Sequence, residues 1–523
     1  MDSAALPENL SVLRYLADAA SSAEPRSIYR AIGMEPIINC RGTFTIIGGS
    51  VERPEVLAAY RAASREFVQY DELAEAVGRR LAAVTGAEWG LVSDGCAAGL
   101  KHVTAACVTG GNPEKLIRIP DLTGMEKTQV IVPSYSRNPY DHAVRNIGVE
   151  LVTVETAEEF ARALCAKTAM VYVNSGPGSA SGEPLSLETI VAMAKPAGVP
   201  VLVDAAAENL TIPCMHLERG ADVVVYSGGK AMCGPQGAGL VLGNKRILTA
   251  AWQASSPHHG PNRDNKVGRE EILGMLAAVE AWVTRDHDAE WQTWLARLNF
   301  IANRATQIAG IDAVIEEPAG LSNRAPVLVL SWDPSTLHIT GEEVAEDFAR
   351  NAPRIAIGSG DGDGRAALRI TPSQMRPGHE EVVAERIYGI LSQPRPPRSA
   401  QPAPAQVDIS GHWDLTITYA AGVSRHRLYL QQDGNWITGA HHSDFSQQPI
   451  EGIVEGTEVK LRSEVRSPGD RVLFLFTGHV AADIITGDVF LGEYLTAEFT
   501  AARVEYTSAR RRISVPGGPP LAT

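Results

Sequence analysis

Three short segments carry residue types that could act on a small substrate. The first is Ser93-Asp94-Gly95-Cys96-Ala97-Ala98-Gly99, where an apolar run gives way to a helical pattern. Small residues at such a junction let the backbone N–H groups of a helix terminus close around an anion, a phosphate above all. Any tight strand-to-helix turn also uses small residues, so this segment alone says little. The second is Asp204, which ends the apolar run 200–203. A carboxylate there lies at the sheet edge where open α/β proteins bind ligands, although Asp is also a good helix N-cap. The third is Lys230 in Ser227-Gly228-Gly229-Lys230, just after Val223-Val224-Val225-Tyr226. A lysine behind two glycines is either an exposed loop residue or an amine that condenses with carbonyls, whose flanking backbone needs unusual freedom.

Taken in order, a phosphate cup, a strand-end aspartate and a strand-end lysine fit pyridoxal 5′-phosphate, which needs each of them. The helix terminus would take the phosphate, with Ser227 in reach of it. Asp204 would keep the ring nitrogen protonated, so that the ring draws electrons. Lys230 would hold the aldehyde as an imine.

Such groups must be positioned by a sheet, and the chain supplies one. Apolar runs at 90–93, 129–132, 149–154, 169–173, 200–203, 221–226 and 238–242 alternate with helical stretches such as 157–166 and 187–197. Runs apolar on both faces, separated by helices, predict an α/β fold with a seven-stranded, mostly parallel sheet. A long helix is expected over 267–285. Strands near 326–331 and 366–370, with helices near 341–350 and 378–391, predict a smaller α/β lobe. The proline-rich stretch 393–408 reads as a semi-rigid spacer. Beyond it, alternating apolar positions and turn glycines predict about eight strands in a small antiparallel barrel or sandwich, with Trp413 inside. Adjacent His441 and His442 point to opposite faces of a strand, so they read as surface residues rather than a metal pair. The expected divisions are an N-terminal arm (1–50), a large domain (51–290), a small domain (291–392), the linker (393–408) and the β domain (409–508).

Composition narrows the classes. At 523 residues the chain exceeds the usual domain size of roughly 100–200 residues, so two or three cores are expected. With 44% hydrophobic and 21% charged residues it is not a disordered chain. A net charge of −14 disfavours nucleic acid as a partner. No apolar run approaches the ~18 residues of a membrane span, and Met1-Asp2-Ser3 opens without the basic region of a secretory signal. Six cysteines with no CxxC pair read as reduced thiols in a cytoplasmic protein.

Several segments also carry a resemblance: Ile37–Thr43, Leu81–Glu88, Leu122–Met125, Asp204–Glu208, Ser227–Gly239 and Lys266–Gly274. Through them, residues 28–392 resemble the fold type I pyridoxal-phosphate enzymes of the selenocysteine synthase-like group, which includes D-glucosaminate-6-phosphate ammonia-lyase. The β-rich tail shares no part of it. The resemblance implies Lys230 as the imine lysine, Asp204 as the ring-nitrogen partner, and Gly95, Cys96, Ala97 and Ser227 as the phosphate site. It further implies Arg369 as the substrate-carboxylate arginine, with Arg41 and Thr43 in an arm that lines the entrance. A residue stacked on the cofactor belongs in Ser134–His142, where Tyr135 and Tyr140 are both candidates and His142 reads as an ordinary polar contact. Sites in this group are commonly completed across a homodimer or larger even assembly, and Gly234-Pro235-Gln236 is where a neighbour would contribute. Arg263, Lys266 and Arg269 either bind a distal phosphate or form a solvated face. The expected activity is ammonia-lyase chemistry on a hydroxylated amino acid or amino sugar acid. The alternatives are an amino-acid racemase or epimerase and, behind it, an aminotransferase or a non-catalytic cofactor-binding protein.

Overall fold

The computed structural model describes residues 11–19, 27–362, 364–397 and 401–505. In chain order its first strands are β1 (Ile37–Cys40), β2 (Trp89–Ser93), β3 (Gln129–Pro133), β4 (Glu150–Val154), β5 (Thr168–Asn174), β6 (Val201–Asp204), β7 (Val223–Ser227) and β8 (Gly239–Gly243). Strands β2 to β8 form one seven-stranded sheet in the order β2-β8-β7-β6-β5-β3-β4. Only β8 runs antiparallel to its neighbours. The central strands are buried on both faces, which explains their unbroken Val, Ile and Leu content. Each such side chain contributes roughly 1.5–3 kcal/mol by leaving water.

Register fixes which residues share the functional edge. Ser93 stands opposite Gly239, and Gly239 opposite Ser227. Asp204 stands opposite Val225, two residues before Ser227. The segment after Asp204 continues the pairing, with Ala205 N–H donating to Val225 O (2.9 Å) and Ser227 N–H to Ala206 O (3.3 Å). The strand ends bearing the three sequence motifs therefore lie side by side.

The smaller sheet is β1-β11-β12-β10-β9, where β9 is Asp312–Glu316, β10 Val327–Trp332, β11 Arg354–Gly362 and β12 Arg365–Ile370. β1, read in the sequence as part of an arm, pairs in parallel with β11. Its last residue, Cys40, accepts a hydrogen bond from Thr371 N–H (2.8 Å), which places Arg41 and Thr43 beside the end of β12. The helix Gly341–Arg350 opens with a reciprocal cap between Thr340 and Glu343. It packs with His287–Ala305 and His379–Leu391 around Trp332, Phe348 and Leu368.

The chain divides into two compact units at residues 398 and 399. The second unit is a closed barrel of eight antiparallel strands: β13 (Gly411–Tyr419), β14 (Gly422–Asp433), β15 (Trp436–His442), β16 (Gln447–Glu455), β17 (Glu458–Ser467), β18 (Asp470–Ala481), β19 (Ile484–Phe490) and β20 (Thr496–Val504). Closure leaves no free sheet edge. Trp413 is fully buried in it, donates to Ile409 O (2.9 Å) and carries the Arg503 guanidinium over its ring. The reading of His441 as a surface residue is corrected: it is fully buried, while His442 faces out. It can stand inside because His426 (2.9 Å), Ser463 (2.8 Å) and Gln448 (3.1 Å) satisfy its ring nitrogens. Part of the proline-rich spacer also lies on the barrel, since Gln406 N–H donates to Gly456 O (2.8 Å) and Ala405 bridges Gly456. Spacer residues 398–400 and tail residues 506–508 fall outside the described residues, as do 1–10 and 20–26 of the expected arm. Among the described residues no helix is long and apolar enough to cross a membrane.

Candidate active site

The helix Gly95–Thr109 starts directly from β2, and its first turn meets the ends of β7 and β8. Gly95 has φ +81°, which suits glycine and turns the chain sharply into the helix. Asp94, at the N-cap, makes no side-chain cap bond to the amides of this turn. Gly239 passes so close to Gly95 that a Cβ on it would lie 2.5 Å from the Gly95 carbonyl carbon. A bare helix terminus beside Ser227, on a crowded backbone platform, is the arrangement an anion needs.

Asp204 is 4% exposed. Its Oδ1 accepts from Ala206 N–H (3.0 Å) and the Cys96 thiol (3.5 Å), and its Oδ2 from the Tyr172 hydroxyl (3.0 Å). Burial pushes its carboxyl up from the usual range. The three donors and the Lys230 charge pull the other way. Lys230 follows β7 in a turn closed by Cys233 N–H donating to Lys230 O (2.9 Å). It is half-buried, near enough to Asp204 and Cys96 to act on both electrostatically. Its ammonium makes no hydrogen bond or ion pair among the described residues.

Next to this turn opens a cavity of about 670 Å3. Ala207, Ala231 and Cys233 form the wall nearest the strand ends, Arg41, Thr43 and Phe44 another, and Trp291, Trp294 and Arg324 a third. Arg41 lies over the Phe44 ring (4.6 Å) and Arg324 over Trp291 (5.8 Å), and neither makes an ion pair among the described residues. Arg285 differs: it is held by Ala231 O (3.3 Å), Met232 O (3.2 Å) and Glu290 (3.5 Å), so it braces the turn that follows Lys230.

The structure thus brings together Gly95, Cys96, Ala97, Asp204, Ser227 and Lys230, with Arg41 and Thr43 on the adjoining cavity. Arg369 is not among the cavity's lining residues. Its side chain is 47% exposed and pairs with Glu316 on β9 (2.7 Å), the arrangement of a surface ion pair. Tyr135 is half-buried with its hydroxyl donating to Leu185 O (2.7 Å), whereas Tyr140 is 59% exposed. The Gln236 side chain lies against the chain's own Gly49 and Gly229. Arg269 holds Ala63 O (3.0 Å) and Ser64 O (3.3 Å), so it ties the helix Arg269–Thr284 to residues 63–64. Two residues absent from the sequence reading are Tyr172 and Asn138, which stand behind Asp204. The only signal was a tyrosine inside a fully apolar strand, whose hydroxyl must find a partner.

Comparison with known proteins gives the family. The Aminotransferase class-V family profile matches residues 122–260. A D-glucosaminate-6-phosphate ammonia lyase of Salmonella typhimurium is 31% identical over 300 residues, 56% of this chain and 78% of the relative. The chain belongs to the fold type I pyridoxal-phosphate enzymes. A Streptomyces 5'-C-glycyluridine monooxygenase-decarboxylase is 29% identical over 382 residues, 69% of this chain and 92% of the relative. The solved structure of a D-glucosaminate-6-phosphate ammonia-lyase superposes with a TM-score of 0.63 at 26% identity, over 70% of this chain and 99% of that one. As a fold type I enzyme the chain uses pyridoxal phosphate, and the bare helix terminus, buried carboxylate and unpaired lysine are a donor set that fits it.

Proposed function

We propose that the protein is a pyridoxal-phosphate-dependent ammonia-lyase acting on a hydroxylated 2-amino acid or amino sugar acid with more than one anionic or polar group. The observation that carries this is the cavity beside Lys230. It is larger than a simple amino acid requires and holds two guanidiniums, Arg41 and Arg324, that make no ion pair among the described residues. The ammonia lyase that is 31% identical supports the reaction type. When bound, the cofactor supplies an electron sink that stabilises negative charge at the substrate Cα.

In this reading the first amides of the helix Gly95–Thr109 and Ser227 hold the phosphate, and Asp204 faces the ring nitrogen. The Lys230 amine takes the proton from Cα. Arg41 binds the substrate carboxylate with Thr43 beside it, and a planar guanidinium sets Cα by engaging both oxygens. Arg324 takes a distal anionic group. The electron pair left at Cα expels the Cβ hydroxyl as water, with the proton that Lys230 took from Cα returned to the leaving oxygen, and hydrolysis of the resulting enamine releases ammonia and a 2-oxo acid. The protein works as a homodimer, which the exposed Ile46 (80%) and Phe67 (94%) support. Cytoplasmic residence fits its six free cysteines.

Incubation of hydroxylated amino acids in heavy water, followed by proton NMR, tests the reaction. Equal ammonia and 2-oxo acid with deuterium at Cβ is the expected result. Deuterium at Cα with inversion and no ammonia would make the protein a racemase. Dioxygen uptake with loss of carbon dioxide would align it with the Streptomyces relative instead.

A further inference from the structure

Behind Asp204 lies a directed chain of hydrogen bonds that ends in the segment Ser134–His142. Asn138 Oδ1 accepts from Tyr140 N–H (2.8 Å), which fixes the orientation of its amide. Its Nδ2 then donates to Ser136 O (3.0 Å) and to the Tyr172 hydroxyl oxygen (3.2 Å). Because that oxygen is already receiving a hydrogen, the single hydroxyl proton of Tyr172 goes to Asp204 Oδ2 (3.0 Å). Oδ1 meets Ala206 N–H and the Cys96 thiol. Both carboxylate oxygens are thus met by donors only, in a site where burial favours the neutral acid. Tyr172 is itself fully buried, and its hydroxyl makes no other hydrogen bond among the described residues.

We infer that Tyr172, oriented by Asn138, is a positioning residue that keeps Asp204 ionised and aimed, so that the cofactor's ring nitrogen retains its proton. The inference rests on the reading that Asp204 faces that nitrogen. A carboxylate stripped of a donor becomes more basic and competes for the shared proton, and a neutral ring is a poorer electron sink. Tyr172 touches neither substrate nor cofactor in this account.

The test loads Tyr172→Phe, Asn138→Ala, Asp204→Ala and Tyr226→Phe with 15N-labelled pyridoxal phosphate and reads the ring-nitrogen resonance, cofactor affinity and steady-state kinetics. Tyr226 is an equally buried tyrosine whose hydroxyl meets Cys214 (3.3 Å), so it controls for the loss of a buried hydroxyl as such. Tyr172→Phe should move the resonance from the protonated toward the neutral position. It should also lower kcat by about ten-fold or more, the weight of one hydrogen bond to a charged group, with KM within about two-fold. Asn138→Ala should do the same to a smaller degree, and it decides alone where Tyr172→Phe does not fold. Tyr226→Phe should leave the resonance in place. A Tyr172→Phe resonance identical to wild type, while Asp204→Ala shifts it, overturns this inference and leaves the role of Asp204 standing. An unshifted resonance in Asp204→Ala overturns the role of Asp204, and the inference with it.

Discussion

Replacing Gly239 by alanine tests how the phosphate cup is built. The added Cβ would lie 2.5 Å from the Gly95 carbonyl carbon, 2.6 Å from its oxygen and 2.7 Å from Ser93 Oγ. Ordinary contacts at carbon begin at roughly 3.5 Å, so about 1 Å of movement is required. Strand β8 cannot supply it, because it is hydrogen-bonded to β2 on one side and β7 on the other. The displaced group is therefore the start of the helix Gly95–Thr109. Overpacking of this kind costs about 1–3 kcal/mol, and here the cost falls on the amides proposed to hold the phosphate. Cofactor affinity should drop by roughly five- to a hundred-fold, read by titration of the apoprotein with pyridoxal phosphate. Gly237→Ala is the matched control from the same loop, since its Cβ would meet only Asp94 Oδ1 at 3.8 Å. Equal affinity in Gly239→Ala and wild type would refute the close-approach argument, as would an equal loss in both variants.

Three further outcomes follow from particular side chains. Arg41→Ala should raise the substrate KM by the weight of a charged hydrogen bond, about 1.5–3 kcal/mol. Arg369→Ala removes only a half-exposed pair with Glu316, worth about 0–1 kcal/mol of stability, and should leave KM within about two-fold; kinetics on the two variants check both. Glu208 pairs with buried His216 (2.6 Å) and accepts from Ser175; burial alone would raise its carboxyl, yet these bonds hold it below its ordinary 4.5. A depressed carboxylate contributes stability that is present above its unfolded value and lost as pH falls through the folded one. Glu208→Gln should therefore melt lower than wild type at pH 7, by about 1–3 kcal/mol. That gap should shrink below about pH 4.5, and a gap independent of pH would reject the assignment.

The positions of the three motifs were legible because each sits at the end of a strand, and strand ends are announced locally by apolar runs and small residues. Seven strands, the small lobe and an eight-stranded β unit were readable for the same reason. What escaped depends on contacts across strands. Arg369 meets Glu316 across the intervening strand β10, so no local pattern reveals the pair. His441 is buried because strand pairing brings His426, Ser463 and Gln448 to it, while its neighbour His442 keeps the exposed face the alternation predicts. The placement of Arg324 and Trp291 on the same cavity as Arg41 requires the fold of the small lobe. Tyr172 looked like one more apolar strand residue until its hydroxyl was seen to meet Asp204.

We propose that these strand ends hold the cofactor, with Lys230 as its attachment. Borohydride reduction of the holoprotein, followed by peptide mapping, tests it most directly. The account predicts the cofactor's mass on the peptide that contains Lys230, and its absence from Lys230→Ala. Attachment to another lysine, or no attachment at all, would contradict it.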